Sequence, residues 1–374
     1  MFFKEVIGQE ATKKRLIQAV SEERVSHAQL FAGPEGTGKL ALAIAYAQYV
    51  SCTNKQTDDS CGECPSCKKY AKLIHPDLHF VFPVVKTPKF KEPVSDNFIA
   101  EWRTMIAQNP YFSLDQWFNT IGVENAQGLI YSHQSEEIIR KLSLKSFESE
   151  YKVMIIWMPE KMHDACANKL LKMIEEPPVK TLFLLVTDDE EEIISTIRSR
   201  CQLIKVPPIE PEAMTAALLQ EPEAEGKDIA TLVHLARGNY RKALELLAPD
   251  DQTLFNLERF KELMRFTYGR KFLDIFSWVD SLANIGRERQ KSFLLYSLGL
   301  LRENFVANLK NRDLVFMDAP EEEFSKRFSP FINERNILQL TEVMETAYLH
   351  ISMNGNPRII FTDIAFKITK LIRK

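Results

Sequence analysis

Apolar residues recur along the first fifty positions first at helical spacing and then in short buried runs. Ala11, Leu16, Ala19 and Val20 predict a helix over Gln9–Val20, His27–Ala32 reads as a short strand, and Leu40–Val50, rich in Ala, Leu and Ile without a breaker, reads as a helix packed on a sheet. Further strands are predicted over His79–Val85, Tyr151–Met158, Thr181–Val186 and Cys201–Val206. Helices are predicted between them, over Ser135–Leu142 with Glu136 and Glu137 in its first turn, over Asp164–Glu176 stopped by Pro177-Pro178, and over Ile193–Arg200. Strands alternating with helices imply an α/β domain around a parallel sheet.

The pattern changes twice. Residues 86–94 carry Pro88 and Pro93 and read as loop, followed by short aromatic-rich helical segments over Asn97–Ala107 and Leu114–Thr120. Beyond Glu210 strand signals fade, and helices are predicted over Glu212–Leu219, Lys227–Ala236, Arg241–Leu247, Leu254–Phe266 and Gln290–Leu309. Pro249-Asp250-Asp251 interrupts this series and suggests a boundary near residue 250. Near the end, Pro357 opens a helix whose Ile360, Ile364, Ile368 and Leu371 share an apolar face.

Composition narrows the class. A length of 374 residues suggests two or three domains, and 45% hydrophobic with 26% charged residues excludes a disordered or fibrous chain. The formal charge of -3 supplies no large positive field, so any grip on nucleic acid must come from elsewhere. No run approaches the roughly 20 apolar residues of a membrane span, and the opening residues lack the order of a signal peptide, so a cytoplasmic address without membrane contact is expected.

Gly33-Pro34-Glu35-Gly36-Thr37-Gly38-Lys39 follows a predicted strand and opens a predicted helix. Glycines let backbone N–H groups close around phosphate oxygens, and the Lys39 ammonium can reach the outer phosphates. Spacing alone is a weak signal; the strand, loop and helix in order strengthen it, and an inherited but empty loop is the alternative. The next residue is Leu40, where the pattern asks for a magnesium-holding hydroxyl. The strand ending in Trp157-Met158 runs into Pro159 and supplies no acid before Glu160, whose simpler reading is an acid at a helix start. ATP therefore has a loop to bind, while two metal-handling positions are apolar, which points away from hydrolysis.

Cys52, Cys61, Cys64 and Cys67 are spaced C-x8-C-x2-C-x2-C, with Gly62, Pro65 and Ser66 supplying turn chemistry. Four thiolates so placed match a closed, structural Zn2+ site, the alternative being reduced surface thiols. Cys166 and Cys201 read as small core residues. Lys68, Lys69, Tyr70 and Lys72 beside the knuckle leave open a nucleic-acid-binding zinc module, although a short solvated basic turn explains them as well.

Six segments in order resemble the clamp-loader branch of the AAA+ ATPases of bacterial DNA polymerase III, nearest to the delta-prime type. They are Ile7-Gly8-Gln9; Ser26-His27-Ala28-Gln29-Leu30-Phe31 leading into the phosphate loop; the cysteines after the loop helix; Asn168-Lys169-Leu170-Leu171-Lys172-Met173-Ile174-Glu175-Glu176-Pro177-Pro178; Thr196-Ile197-Arg198-Ser199-Arg200-Cys201; and Gly238-Asn239-Tyr240-Arg241-Lys242-Ala243. Residues 1–82 and 130–247 carry the resemblance; 83–130, with Trp102 and Trp117, does not match it and reads as an insertion. The resemblance implies an α/β P-loop (AAA+) domain over 1–208 with a zinc knuckle at 52–67, a helical lid over 209–249 and an all-α collar over 250–374 that packs against partner subunits. It implies Arg200 as an arginine finger acting in trans, Arg241 as a lid arginine beside the nucleotide, Thr187 as a strand-end sensor, and Gly33, Gly36, Thr37, Gly38 and Lys39 as the nucleotide loop. An ordinary surface role remains the alternative for Arg200. The implied function is a non-motor subunit of a hetero-oligomeric ring that loads a sliding clamp onto primed DNA. Leu40 and the Trp157 stretch argue against the hydrolysing tau/gamma type and against an autonomous P-loop ATPase, the two competing readings.

Overall fold

Five short strands, β1 (Ala28–Ala32), β2 (Leu78–Val81), β3 (Lys152–Trp157), β4 (Thr181–Thr187) and β5 (Gln202–Lys205), form one all-parallel sheet in the order β2-β3-β4-β1-β5 in the computed structural model. The structure describes residues 1–123, 128–247, 251–308, 315–317 and 319–373. β1, β3 and β4 are buried along their whole length, as expected where both faces of a parallel sheet are covered, and that is why they read as nearly unbroken apolar runs. The strand predicted over His79–Val85 pairs only through Val81: Pro83 has no N–H to give a ladder, and Val84 instead makes an isolated antiparallel bridge to Leu129.

The chain divides into two compact units, Met1–Val123 with Gln127–Leu244, and Glu245–Lys374. The expected break at Pro249-Asp250 lies outside the described residues. The first unit surrounds the sheet with α1 (Glu10–Ser21), α2 (Lys39–Ser51), α3 (Pro65–Ala71), α4 (Ile99–Gln108), α5 (Leu114–Thr120), α6 (Gln134–Ser143), α7 (Asp164–Glu175), α8 (Ser195–Arg198), α9 (Pro211–Leu218) and α10 (Ile229–Ala236), and ends within α11 (Tyr240–Leu247). Every residue of α2 is buried, and the helix packs on β1, β3 and β4. That placement fixes the phosphate loop at the carboxyl end of the sheet, where open α/β folds hold ligands.

The insertion is a packed element. Trp102 and Trp117 are fully buried, Phe82 stacks on Trp102 with centroids 4.1 Å apart, and Trp157 at the end of β3 meets both Trp102 and Phe112 at 5.2 Å. The Trp117 indole N–H donates to the Pro83 carbonyl at 2.9 Å, so Trp117 buries its ring with its donor satisfied, whereas the Trp102 indole N–H is buried without a partner among the described residues.

The second unit is helical among the described residues, with α12 (Asp251–Gly269), α13 (Phe272–Ala283), α14 (Arg287–Asn308), α15 (Ala319–Phe328), α16 (Ile337–Ser352) and α17 (Pro357–Leu371). α12, α14 and α17 answer to helices predicted from the sequence, whereas α13, α15 and α16 have no counterpart among them. Ile360, Ile364, Ile368 and Leu371 of α17 belong to this unit's own core, packed with residues such as Trp278 and Phe361. The apolar face of α17 is therefore covered within its own unit.

Candidate functional site

The loop between β1 and α2 gathers the residues named for it. Thr37 Oγ1 donates to the Pro34 carbonyl at 2.9 Å, Gln9 Nε2 reaches the Thr37 carbonyl at 3.2 Å, and the Tyr240 amide donates to the Gly36 carbonyl at 3.0 Å. The buried Lys39 ammonium donates to the Pro34 carbonyl at 2.5 Å and pairs with Asp188 at 2.8 Å. Arg241 reaches the loop from α11 and pairs with Glu35 at 2.8 Å. Gly33, Gly36, Thr37, Gly38, Lys39 and Arg241 thus converge, and both cations hold carboxylates of the chain itself.

Asp188 and Glu35 were missed by sequence reasoning. For Asp188 a signal existed: β1 and β4 pair in register at Ala32 and Thr187, so the residue after β4 must stand beside the loop after β1. Thr187 is buried and turns inward on its own chain, with Oγ1 donating to the Asp189 carbonyl at 2.9 Å and accepting the Asp189 amide at 3.2 Å. Leu40 and Trp157 are 5% and 6% exposed, so neither metal-handling position offers an oxygen.

Glu160 lies in a short 3-10 turn over Pro159–Lys161, with Oε2 buried and unpartnered. Burial pushes its carboxyl up to about 7, and the nearby Asp188 charge adds to the effect. The folded-state value lies above the ordinary 4.5, so the stability from holding this proton is complete below pH 4.5 and is lost as pH rises through about 7. Glu160→Gln is expected to flatten that part of the stability profile and to make the protein more stable than the parent at pH 8, by at most about 2–4 kcal/mol. Denaturant titrations at several pH values check this; parallel profiles would contradict it.

Arg200 sits at the far end of the sheet from the loop. It precedes β5, whose Gln202 pairs with Gln29 near the start of β1, whereas the loop follows Ala32 at the end of β1. The strand alone separates them by roughly 10 Å. Arg200 is 39% exposed at its side chain, pairs with Glu175 at the end of α7 at 2.6 Å, and donates to the Thr196 carbonyl at 2.9 Å. Arg198 turns elsewhere and pairs with Glu191 at 2.7 Å.

The four cysteines form a single cluster, with all Sγ atoms within 4.8 Å of one another. Sγ–Sγ separations of 3.6 Å for Cys52–Cys61 and 4.0 Å for Cys61–Cys67 bracket the edge of about 3.8 Å in a tetrahedron with metal–sulfur bonds of about 2.3 Å. The Cys61, Cys64 and Cys67 amides each donate to the preceding cluster sulfur at 3.4 Å, an arrangement that favours thiolate. Burial pushes the Cys52 and Cys67 thiols up, whereas at Cys64 the Cys67 amide and Thr53 outweigh burial and hold the thiol down at about 6. These four residues can hold one metal ion. Cys166 is buried and Cys201 half-buried, apart from the cluster.

A parallel α/β domain with a glycine-lysine loop at the carboxyl end of its sheet defines a nucleotide-binding type of fold. The family model described as DNA polymerase III, delta subunit, matches residues 8–210, more than half of the chain, and the chain belongs to this clamp-loader family. It is 29% identical over 238 residues to the DNA polymerase III subunit delta' of Bacillus subtilis (strain 168), covering 64% of this chain and 59% of that protein. It is 28% identical over 239 residues to the delta' subunit of Escherichia coli (strain K12), again covering 64% and 59%. The tau subunit of Bacillus subtilis (strain 168) is 23% identical over 391 residues, covering 98% of this chain and 61% of that subunit. The chain thus spans about 60% of the length of these curated relatives. Among solved structures, a DNA polymerase III gamma subunit-related protein of Thermotoga maritima aligns over 97% of this chain and all of its own at 11% identity and a TM-score of 0.39, too distant to bear on function.

Proposed function

We propose that this chain is a non-motor subunit of a replicative clamp loader, seated in a hetero-oligomeric ring with other clamp-loader subunits. In that role it offers Arg200 to the nucleotide of a neighbouring ATPase and helps load the sliding clamp onto primed DNA. The observation that carries the reading is the pairing of an apolar phosphate-loop site, with buried Leu40 and Trp157 where a metal would need oxygens, with an exposed arginine at the opposite end of the same sheet. With no side-chain oxygen at these two positions to hold magnesium, charge on a transferring phosphoryl group goes unneutralised. Steady-state phosphate release by the isolated protein is expected to stay at background with and without DNA; robust turnover lost in Lys39→Ala would favour the hydrolysing alternative. We assign the cysteine cluster to structural Zn2+, residues 209–249 to a lid and 250–374 to a collar, and the protein to the cytoplasm. Among the described residues no helix is long and apolar enough to cross a membrane.

With the α17 stripe buried, the collar's partner surface must lie elsewhere. Phe272, Leu273 and Phe276 of α13 are 45%, 84% and 48% exposed, and Phe366 of α17 stacks on Phe272 with centroids 5.8 Å apart. An apolar patch of this kind is a surface for a neighbouring subunit. Leu273→Glu with Phe276→Glu is expected to leave the isolated protein folded and to abolish its entry into the complex on gel filtration. Unimpaired assembly would remove the patch from the interface.

A further inference from the structure

Tyr111 comes from the insertion that no motif explains, and it stands beside the phosphate loop. The residue is only 6% exposed. Gly38 holds φ at +85°, and a Cβ there would lie 2.8 Å from Tyr111 Cε1, so the ring packs directly on the backbone of the loop's last glycine. The Tyr111 hydroxyl accepts the Ile7 amide at 2.9 Å, and its ring meets Tyr240 edge-on with centroids 5.1 Å apart. The N-terminal segment, the phosphate loop and the first residue of α11 therefore meet on one side chain. On the loop's other flank Asn239 closes over Gly36, where a Cβ would come within 1.8 Å of Asn239 Oδ1.

We infer that Tyr111 is a built-in ligand that takes the place of a nucleotide base beside this loop. A planar ring with an accepting oxygen presents to the Ile7 N–H what a purine with an accepting ring nitrogen would present, and the ring's edge-on contact with Tyr240 is one that a base could make as well. The loop's own cations are satisfied in the same internal way, Lys39 by Asp188 and Arg241 by Glu35. A bound nucleotide would have to displace the ring and reopen both ion pairs. The chain is thereby held in one arrangement around the loop, from Ile7 to Tyr240, independently of nucleotide. The inference rests on the reading of this loop as inert in hydrolysis, and binding and turnover are separate measurements.

The test uses the full chain and a fluorescent methylanthraniloyl derivative of ADP, with thermal melting in ADP as the second readout. The wild type is expected to show neither saturable binding nor a melting shift at millimolar ADP. Tyr111→Ala, which opens the space, is expected to bind at least about tenfold more tightly than wild type and to gain melting temperature with ADP. Tyr111→Phe, which keeps the ring, is expected to stay close to wild type. Binding of ADP by wild type as tight as by Tyr111→Ala would overturn the inference, and so would a folded Tyr111→Ala that still binds nothing. Should Tyr111→Ala fail to fold, amide exchange in the wild type decides: peptides containing Ile7 and residues 105–113 are expected to exchange identically with and without ADP, and protection on adding ADP would refute the plug. Binding by Tyr111→Ala without ATP turnover leaves both readings standing, whereas turnover by the wild type would contradict the proposed function itself.

Discussion

Stripping the metal from the cysteine cluster is expected to loosen residues 52–71 and, with them, the start of the chain, while the sheet stays folded. Structural zinc contributes an apparent 10–16 kcal/mol or so in small peptides, far more than the local hydrogen bonds of a knuckle can replace. The knuckle in turn anchors the N-terminus: the Phe3 and Lys4 amides donate to Asp59 at 3.2 and 3.1 Å, and Gln48 Nε2 donates to Ser60 at 2.7 Å while its Oε1 accepts the terminal amine at 3.2 Å. Gly62 lies against the Phe2 ring, where a Cβ would stand 2.9 Å from it. Cys61→Ser or Cys64→Ser should therefore raise amide exchange across residues 2–6 and 52–71 and leave β3 and β4 protected. Metal analysis of protein purified without chelator should find one zinc per chain. Its absence, or unchanged exchange in the cysteine variants, would end the assignment.

The parts of this molecule legible in its sequence are those set by local chemistry. β3 and β4 read as strands because a parallel sheet buries both faces, and α2 reads as a helix because nothing between Lys39 and Ser51 breaks it. The cysteine cluster is legible because its members crowd within sixteen residues, 52–67. Lys39 is legible from the glycine-lysine spacing of its loop, whereas Arg241 is legible only through the family resemblance, since 201 intervening residues hide their meeting at the loop. What stays hidden is whatever depends on distant packing. Tyr111 reads as one aromatic among prolines until the fold brings it to Gly38, and the aromatic cluster of the insertion makes sense only once Trp157 is seen to fill a strand end that lacks an acid. The α17 stripe shows the complementary limit: helical periodicity reveals an apolar face but not what covers it, and here the cover is the unit's own core.

Arg200→Ala is expected to leave the protein folded and the complex assembled while disabling the one ATPase site that faces it. The Arg200–Glu175 pair is substantially exposed on both sides, and pairs of that kind contribute about 0–1 kcal/mol to stability. The catalytic effect is of another size, since an arginine that forks onto a transferring phosphoryl group is worth about 10³–10⁵ in rate at the site it serves. In the proposed role the guanidinium would exchange Glu175 for phosphate oxygens of a neighbour, a swap that an exposed side chain makes at small cost. Its position excludes service to the chain's own loop, which lies beyond the opposite end of β1. Arg200→Lys should rescue poorly, because an ammonium keeps the charge but loses the planar fork. Arg198→Ala should do much less, its guanidinium being committed to Glu191.

The most direct test is clamp- and DNA-dependent ATP hydrolysis by the reconstituted complex carrying either Arg200→Ala or Lys39→Ala in this subunit, with assembly verified by gel filtration for each. A non-motor subunit that serves its neighbour predicts a loss of turnover with Arg200→Ala, equal to the share of the site it faces, and none with Lys39→Ala. The reverse pattern, turnover lost with Lys39→Ala and intact with Arg200→Ala, would contradict the account.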